Sequence, residues 1–204
     1  MYGPGRSAAA STPLGAVSGQ LLEEADTVAD ALALMPALKR AGSPVRVGSS
    51  ALGLMVWRDI DLTVVCATLR QDVVGAIAPQ LMTAPGVREV RFLNDAGALK
   101  DPSPYPDGLY LGVKYVAGDQ EVWKLDIWFA DDPETQPDLQ HVRTIPPRLM
   151  PERRLAILRM KDVWAHREEC GKTVRGYDIC SALDGNVTTV AQFDAWLKGA
   201  GSAR

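Results

Sequence analysis

The sequence predicts an α/β protein: a mixed sheet of about five strands with helices on one side, followed by a C-terminal helical segment. Three observations carry that expectation. Asp59–Cys66 and Glu121–Ala130 alternate apolar and polar residues with the two-residue period of a half-buried strand. Leu14–Arg40 instead repeats its apolar residues at helical spacing, through Leu21, Leu22, Ala25, Val28, Leu32 and Met35. From Met150 onward strand signals disappear.

In chain order, Leu14–Arg40 is expected as a helix with Pro36 as the point where it kinks or ends. Strands follow at Val45–Gly48 and Asp59–Cys66, with a small-residue helical segment opening at Ser49 between them. Arg70–Met82 reads as a helix ended by Pro85-Gly86, and Val87–Leu93 as a strand leading into a proline- and glycine-rich loop. Leu109–Val116 and Glu121–Ala130 form a hairpin through Ala117-Gly118-Asp119-Gln120. Asp131–Asp138 reads as an acidic, proline-punctuated connection. Helices are expected at Pro151–Glu169, with proline in the first turn and Gly171 as the stop, and at Thr173–Leu183 and Thr188–Lys198. The organisation is then a loose tail over 1–12, a core over 13–148 and a helical subdomain over 149–200.

Composition narrows the classes. The chain has 204 residues, enough for one sizeable core with a small helical addition. Its 22 Lys and Arg against 25 Asp and Glu give a net charge of −3, which argues against a broad nucleic-acid footprint. No run approaches the roughly 18 apolar residues of a membrane span, and the N-terminus lacks the basic start and apolar core of a secretory signal. Cys66, Cys170 and Cys180 make no C-x-x-C, and as an uneven set they fit buried thiols in a reducing cytoplasm. His141 and His166 are too few and too far apart for a zinc site.

The chemistry concentrates in Val45–Val65. Successive strand residues point to opposite faces, so Asp59 and Asp61 share one face while Ile60, Leu62, Val64 and Cys66 line the other. Two carboxylates side by side repel unless something positive lies between them, and a divalent metal suits oxygen ligands. Gly48 allows close approach, and Ser49 opens a helical segment whose exposed N–H groups favour an anion. Asp126, flanked by Leu125 and Ile127 in the last strand, is a third acid in β-rich sequence.

Gly48-Ser49, Ala51 and Gly53 followed by Asp59-Ile60-Asp61 in a strand resemble the nucleotidyltransferase superfamily, the polymerase β-like group that includes minimal bacterial, aminoglycoside and toxin-type enzymes. The resemblance implies a nucleotidyltransferase-type sheet on which Asp59, Asp61 and Asp126 bind Mg²⁺ (or Mn²⁺) and carry catalysis. It also implies that Gly48 and Ser49 hold the triphosphate of an NTP, such as ATP. Among the basic residues between Arg143 and Arg175, Lys161 and Arg154 lie two helical turns apart and are the expected partners of the outer phosphates. Arg159–Leu183 also looks like the helical part of toxin-type nucleotidyltransferases, in which a lysine precedes an R-D-x-x-D-like element. Lys161, Arg175 and Asp178 would correspond, although Gly176-Tyr177 intervenes and the second acid is missing.

The expected function is transfer of a nucleoside monophosphate to an acceptor hydroxyl. On charge, a small hydroxylated molecule stands slightly ahead of a tRNA 3′ end. Two other readings stand beside it: an inert nucleotide-binding module on the same fold, and a structural ion pair of Asp59 and Asp61 with Arg58 or Arg46.

Overall fold

The computed structural model describes residues 13–100, 106–168, 174, 176–182 and 186–200. The expected tail over 1–12, together with Cys170 and Arg175, lies outside the described residues. Five strands form one sheet in the order β1-β2-β5-β4-β3. They are β1 (Ser43–Val47), β2 (Asp59–Val65), β3 (Val87–Asp95), β4 (Gly108–Val116) and β5 (Val122–Ala130). β1 runs antiparallel to β2, β2 parallel to β5, and β5-β4-β3 is an antiparallel meander. The parallel β2–β5 pair matters most for the site, because its register sets Asp61 opposite Asp126.

Alternation along β5 is as the sequence predicts. Trp123, Leu125, Ile127 and Phe129 are buried, as are Ile60, Leu62 and Val64 of β2. This apolar face packs against α1 (Leu14–Ala31) and α2 (Leu34–Leu38), with α4 (Gln71–Gly75) and α5 (Ala78–Met82) completing the main core. A second apolar cluster joins Leu52 and Leu54 to α7 (Pro151–Trp164), α8 (Gly176–Ala182) and α9 (Val190–Ala200). In it Trp164 and Phe193 meet edge to face with ring centroids 5.4 Å apart. Leu52 and Leu54 flank the segment that enters β2, so the second cluster grips the polypeptide that leads to the acids.

The helices expected at Leu14–Arg40 and Arg70–Met82 are both broken, and for one reason. A proline inside a helix has no N–H for the carbonyl four residues back, and its ring crowds that carbonyl. The first helix stops at Ala31, Ala33 takes a left-handed conformation (φ 44°, ψ 41°), and Pro36 then sits in the first turn of α2. Pro79 does the same in the first turn of α5. In both places the chain breaks before the proline, where the missing donor costs nothing.

Other boundaries move for local reasons. β1 ends at Val47 because Gly48 leaves the extended region at φ +61° and starts α3 (Gly48–Leu52). β3 runs on to Asp95. α7 stops at Trp164, where Arg167 turns back to stack on the Trp164 ring at 4.3 Å and pair with Asp194 of α9 at 2.7 Å. The acidic, proline-punctuated connection expected over Asp131–Asp138 leads into a further helix, α6 (Pro137–Thr144). Pro137 at the helix start, Asp138 in the first turn and Arg143 in the last are the signals for it.

Ala33 provides a test of this account. A left-handed residue other than glycine carries roughly 1–2 kcal/mol of strain. Ala33→Gly should leave stability unchanged or raise it by up to about 1 kcal/mol in urea unfolding, whereas Ala16→Gly, in the first turn of α1, should lower it by up to about 1 kcal/mol. A loss at both positions of equal size would mean that Ala33 is not strained.

Candidate active site

β2 and β5 deliver the three acids to one place. Asp59 and Asp61 project from β2 and Asp126 from its parallel neighbour, and one carboxylate oxygen of each lies within 4.8 Å of the others. All three are half-buried. Thr63, the next residue on the same face of β2, is buried, so the acids stand at the rim of a covered region rather than on a bare sheet. The Oδ1 atom of Asp59 is buried and has no hydrogen-bond partner among the described residues. Asp126 is the best-partnered of the three: Oδ1 accepts from the Tyr110 hydroxyl and Oδ2 from the Lys124 ammonium.

Gly48 is required where it stands. Its φ is +61°, and a Cβ there would lie 2.2 Å from Oδ2 of Asp61. The absent side chain is what lets the end of β1 close against the acid, in the register that pairs Val47 with Asp61. Ser49 follows immediately, and its hydroxyl accepts from the ammonium of Lys161 on α7. Lys161 is almost wholly buried, also donates to the Leu54 carbonyl at 3.0 Å, and lies 4.9 Å from the Trp57 ring centre. A Cβ on Gly176, at the start of α8, would come into van der Waals contact with both Lys161 and Ser49. Gly48, Ser49, Lys161 and the acids therefore form one continuous constellation.

Arg154 is placed differently. Its Nη1 donates to the carbonyls of Leu52 and Gly53, each at 2.8 Å, at the C-terminal end of α3. Its charge is spent on helix-end carbonyls that have no intrahelical partner. Asp178, on α8, is buried. Arg58 pairs with Glu24, Asp119 and Glu121, and Arg46 with Asp26, so neither arginine serves as the counter-ion of Asp59 or Asp61.

The electrostatics follow from this layout. Burial, reinforced by the charge of Asp126, raises the Asp59 carboxyl to about 6, against the opposing pull of Lys124, the Trp57 hydrogen bond and Lys161. Burial pushes Asp61 well above the usual carboxylate range, and the charges of Asp59, Asp126 and Asp138 on α6 push it further. Burial works against the charge of Lys124, yet the three aspartates outweigh it and hold the ammonium charged. Burial and the bond to Asp126 raise Tyr110, which keeps its hydroxyl a donor.

An oxygen-only donor set with surplus negative charge, an unpartnered buried acceptor on Asp59 and a glycine cradle against Asp61 fits a hard divalent cation. Tyr110 and Lys124 are parts of the site that were not singled out from the sequence. Their signal was available: Lys124 is two residues from Asp126 on one strand face, and Tyr110 lies opposite Trp128 on the neighbouring strand.

A carboxyl whose pKa is higher in the folded protein than in the unfolded chain binds more protons when folded, so stability falls as pH rises through that interval. For metal-free protein, Asp59 and Asp61 should thus erode stability from about pH 4 upward through pH 6. Asp61→Asn removes one of the repelling charges. It should raise metal-free stability by about 1–3 kcal/mol at pH 7.5 and by less at pH 5 in paired urea titrations. A variant less stable at pH 7.5 than at pH 5 relative to the parent would contradict this charge balance.

No family model matches the sequence, and no curated protein matches it significantly. Solved structures do match. A Cid1 poly(U) polymerase variant bound to MgATP aligns with a TM-score of 0.55 at 19% identity, over 82% of this chain and 52% of that one. Cid1 bound to MgGTP gives a TM-score of 0.52 at 21% identity, over 82% and 52% of the two chains. Cid1 in a study of its RNA terminal uridylyl transferase activity gives 0.53 at 19%, over 82% and 49%. The chain spans about half the length of these structures. What is shared at this similarity is architecture: the chain has a nucleotidyltransferase-type fold.

Proposed function

We propose that this protein is a metal-dependent nucleotidyltransferase that moves a nucleoside monophosphate from an NTP to an acceptor hydroxyl. The observation that carries the proposal is the meeting of Asp59, Asp61 and Asp126 from two adjacent strands beside Gly48-Ser49, on a nucleotidyltransferase fold. The three aspartates would hold Mg²⁺ or Mn²⁺. Bound there, the metal would supply charge neutralisation for the triphosphate and a lowered pKa for the acceptor hydroxyl.

The remaining work falls to the chain's own groups. The acceptor oxygen attacks the α-phosphorus, a new P–O bond forms, and pyrophosphate leaves. Asp126 would take the acceptor's proton. Gly48 and Ser49 receive the outer phosphates. Lys161 acts through Ser49: its ammonium fixes the hydroxyl and, from a buried position, adds positive potential at that end of the site. Most of the rate enhancement in this reading is positioning and preset charge.

A second reading concerns the acceptor. Cid1, whose structures share this fold, is described by its RNA terminal uridylyl transferase activity, and that likeness favours an RNA 3′ end over the small hydroxylated acceptor suggested by net charge. Incubation with each α-labelled NTP and Mg²⁺, offering tRNA, total RNA and a panel of hydroxylated small molecules, decides between them. Label on RNA that weakens between low and moderate salt supports the RNA end. Label confined to small molecules and insensitive to salt supports the small acceptor.

Two outcomes test the enzyme itself. Asp61→Asn should lower turnover by at least about 10²-fold while the variant stays folded; near-normal metal-dependent turnover would remove Asp61 from the site. NTP with Mg²⁺ should raise the melting temperature more than either alone, by linkage worth about 2.7 kcal/mol at a hundredfold excess over Kd. No shift at millimolar nucleotide favours the inert module.

A further inference from the structure

The acid cluster already holds a cation of its own. Lys124 lies two residues before Asp126 on β5, so both side chains leave the same face of the strand, and its ammonium donates to Oδ2 of Asp126. Oδ1 of the same carboxylate is taken by Tyr110. Both oxygens of Asp126 are therefore engaged by protein groups, while Asp59, across the cluster, keeps a buried Oδ1 with no partner among the described residues. The Lys124 side chain is 55% exposed against 19% for Asp126, so the ammonium reaches inward from the rim and has solvent to withdraw into. Two neighbouring lysines have other places. Lys161 is bound to Ser49 and Leu54, and Lys114, opposite Lys124 in the β4–β5 register, pairs with Glu89 at 2.6 Å.

We propose that Lys124 is a resident counter-cation, occupying the Asp126 side of the metal site in the resting protein and leaving it before a divalent ion uses that carboxylate. The inference rests on the reading of the acids as a metal site. An ammonium and a divalent ion on one carboxylate oxygen repel strongly, so loading the Asp126 side requires the lysine to swing out. In the meantime it offsets the repulsion among three carboxylates whose oxygens lie within 4.8 Å. Lys124 thus acts as a positioning residue that trades metal affinity for an ordered metal-free site.

The test is a Mn²⁺ titration of nucleotide-free protein at pH 7.5, read by the paramagnetic signal of free Mn²⁺ and by calorimetry, with melting temperatures of the metal-free proteins in parallel. Lys124→Met should bind Mn²⁺ at least about tenfold more tightly than the parent and melt at a lower temperature without metal. Lys124→Arg, which keeps the charge and the reach, should stay close to the parent. Lys114→Met loses the same unit charge one strand away and should change neither value. Lys124→Gln serves in place of the methionine variant if that variant fails to fold. Equal Mn²⁺ affinity in the parent and Lys124→Met overturns the inference and leaves the metal site intact. Equal tightening by Lys114→Met also overturns it, because the effect would then be a distant field and not occupancy. Mn²⁺ binding in none of these proteins overturns the metal-site reading itself, and the inference with it.

Discussion

The site depends on how the short stretch after α3 is held. Between Leu52 and Met55 four backbone groups are claimed by side chains from two helices far apart in sequence. Ser18 of α1 donates to the Gly53 carbonyl and accepts from the Met55 amide, each at 3.0 Å. Arg154 and Lys161 of α7 take the carbonyls of Leu52, Gly53 and Leu54. Each bond alone is worth about 1 kcal/mol, and more where the donor is charged. Together they fix the exit of α3 while Gly48 fixes its entrance against Asp61, so the five-residue helix, too short to be stable alone, has one position.

This constraint joins the two apolar clusters. Leu52 and Leu54 enter the cluster built by α7, α8 and α9, whereas Met55, next in sequence, packs in the core beneath the sheet. Through Lys161 the same arrangement couples the C-terminal helices to Ser49 and, through the potential of its ammonium, to Asp59. The helical segment is therefore part of the machinery that shapes the acid cluster. Its buried lysine is tolerated because oxygen acceptors and an aromatic face surround the charge.

At the acids the balance is between burial and charge. Two carboxyls of β2 are raised because water is excluded and the neighbouring acids repel, while Asp126 is held by a hydroxyl and an ammonium. This surplus of negative charge suits a cation, since a bound cation would relieve a strain already present. Lys124 limits that strain in the metal-free protein.

Much of this was legible in the sequence. Two-residue alternation fixes which faces of β2 and β5 are apolar, because a strand admits only two faces, and it places Asp59 with Asp61 and Asp126 with Lys124 before any tertiary contact is known. Gly48 was readable as a glycine of necessity from its place between strand and helix. The sequence alone also marked Pro36 as a break, though its rule, applied equally, would have split Arg70–Met82 at Pro79. Only the tertiary structure decided that β2 and β5 are parallel neighbours in the register Asp61–Asp126, since strand order is set by packing between segments more than sixty residues apart. It alone turned Arg154 toward the carbonyls of α3 and Lys161 toward Ser49. Both lie on one helix with similar spacing and charge, and what separates them is which unsatisfied oxygen each meets when the helix docks.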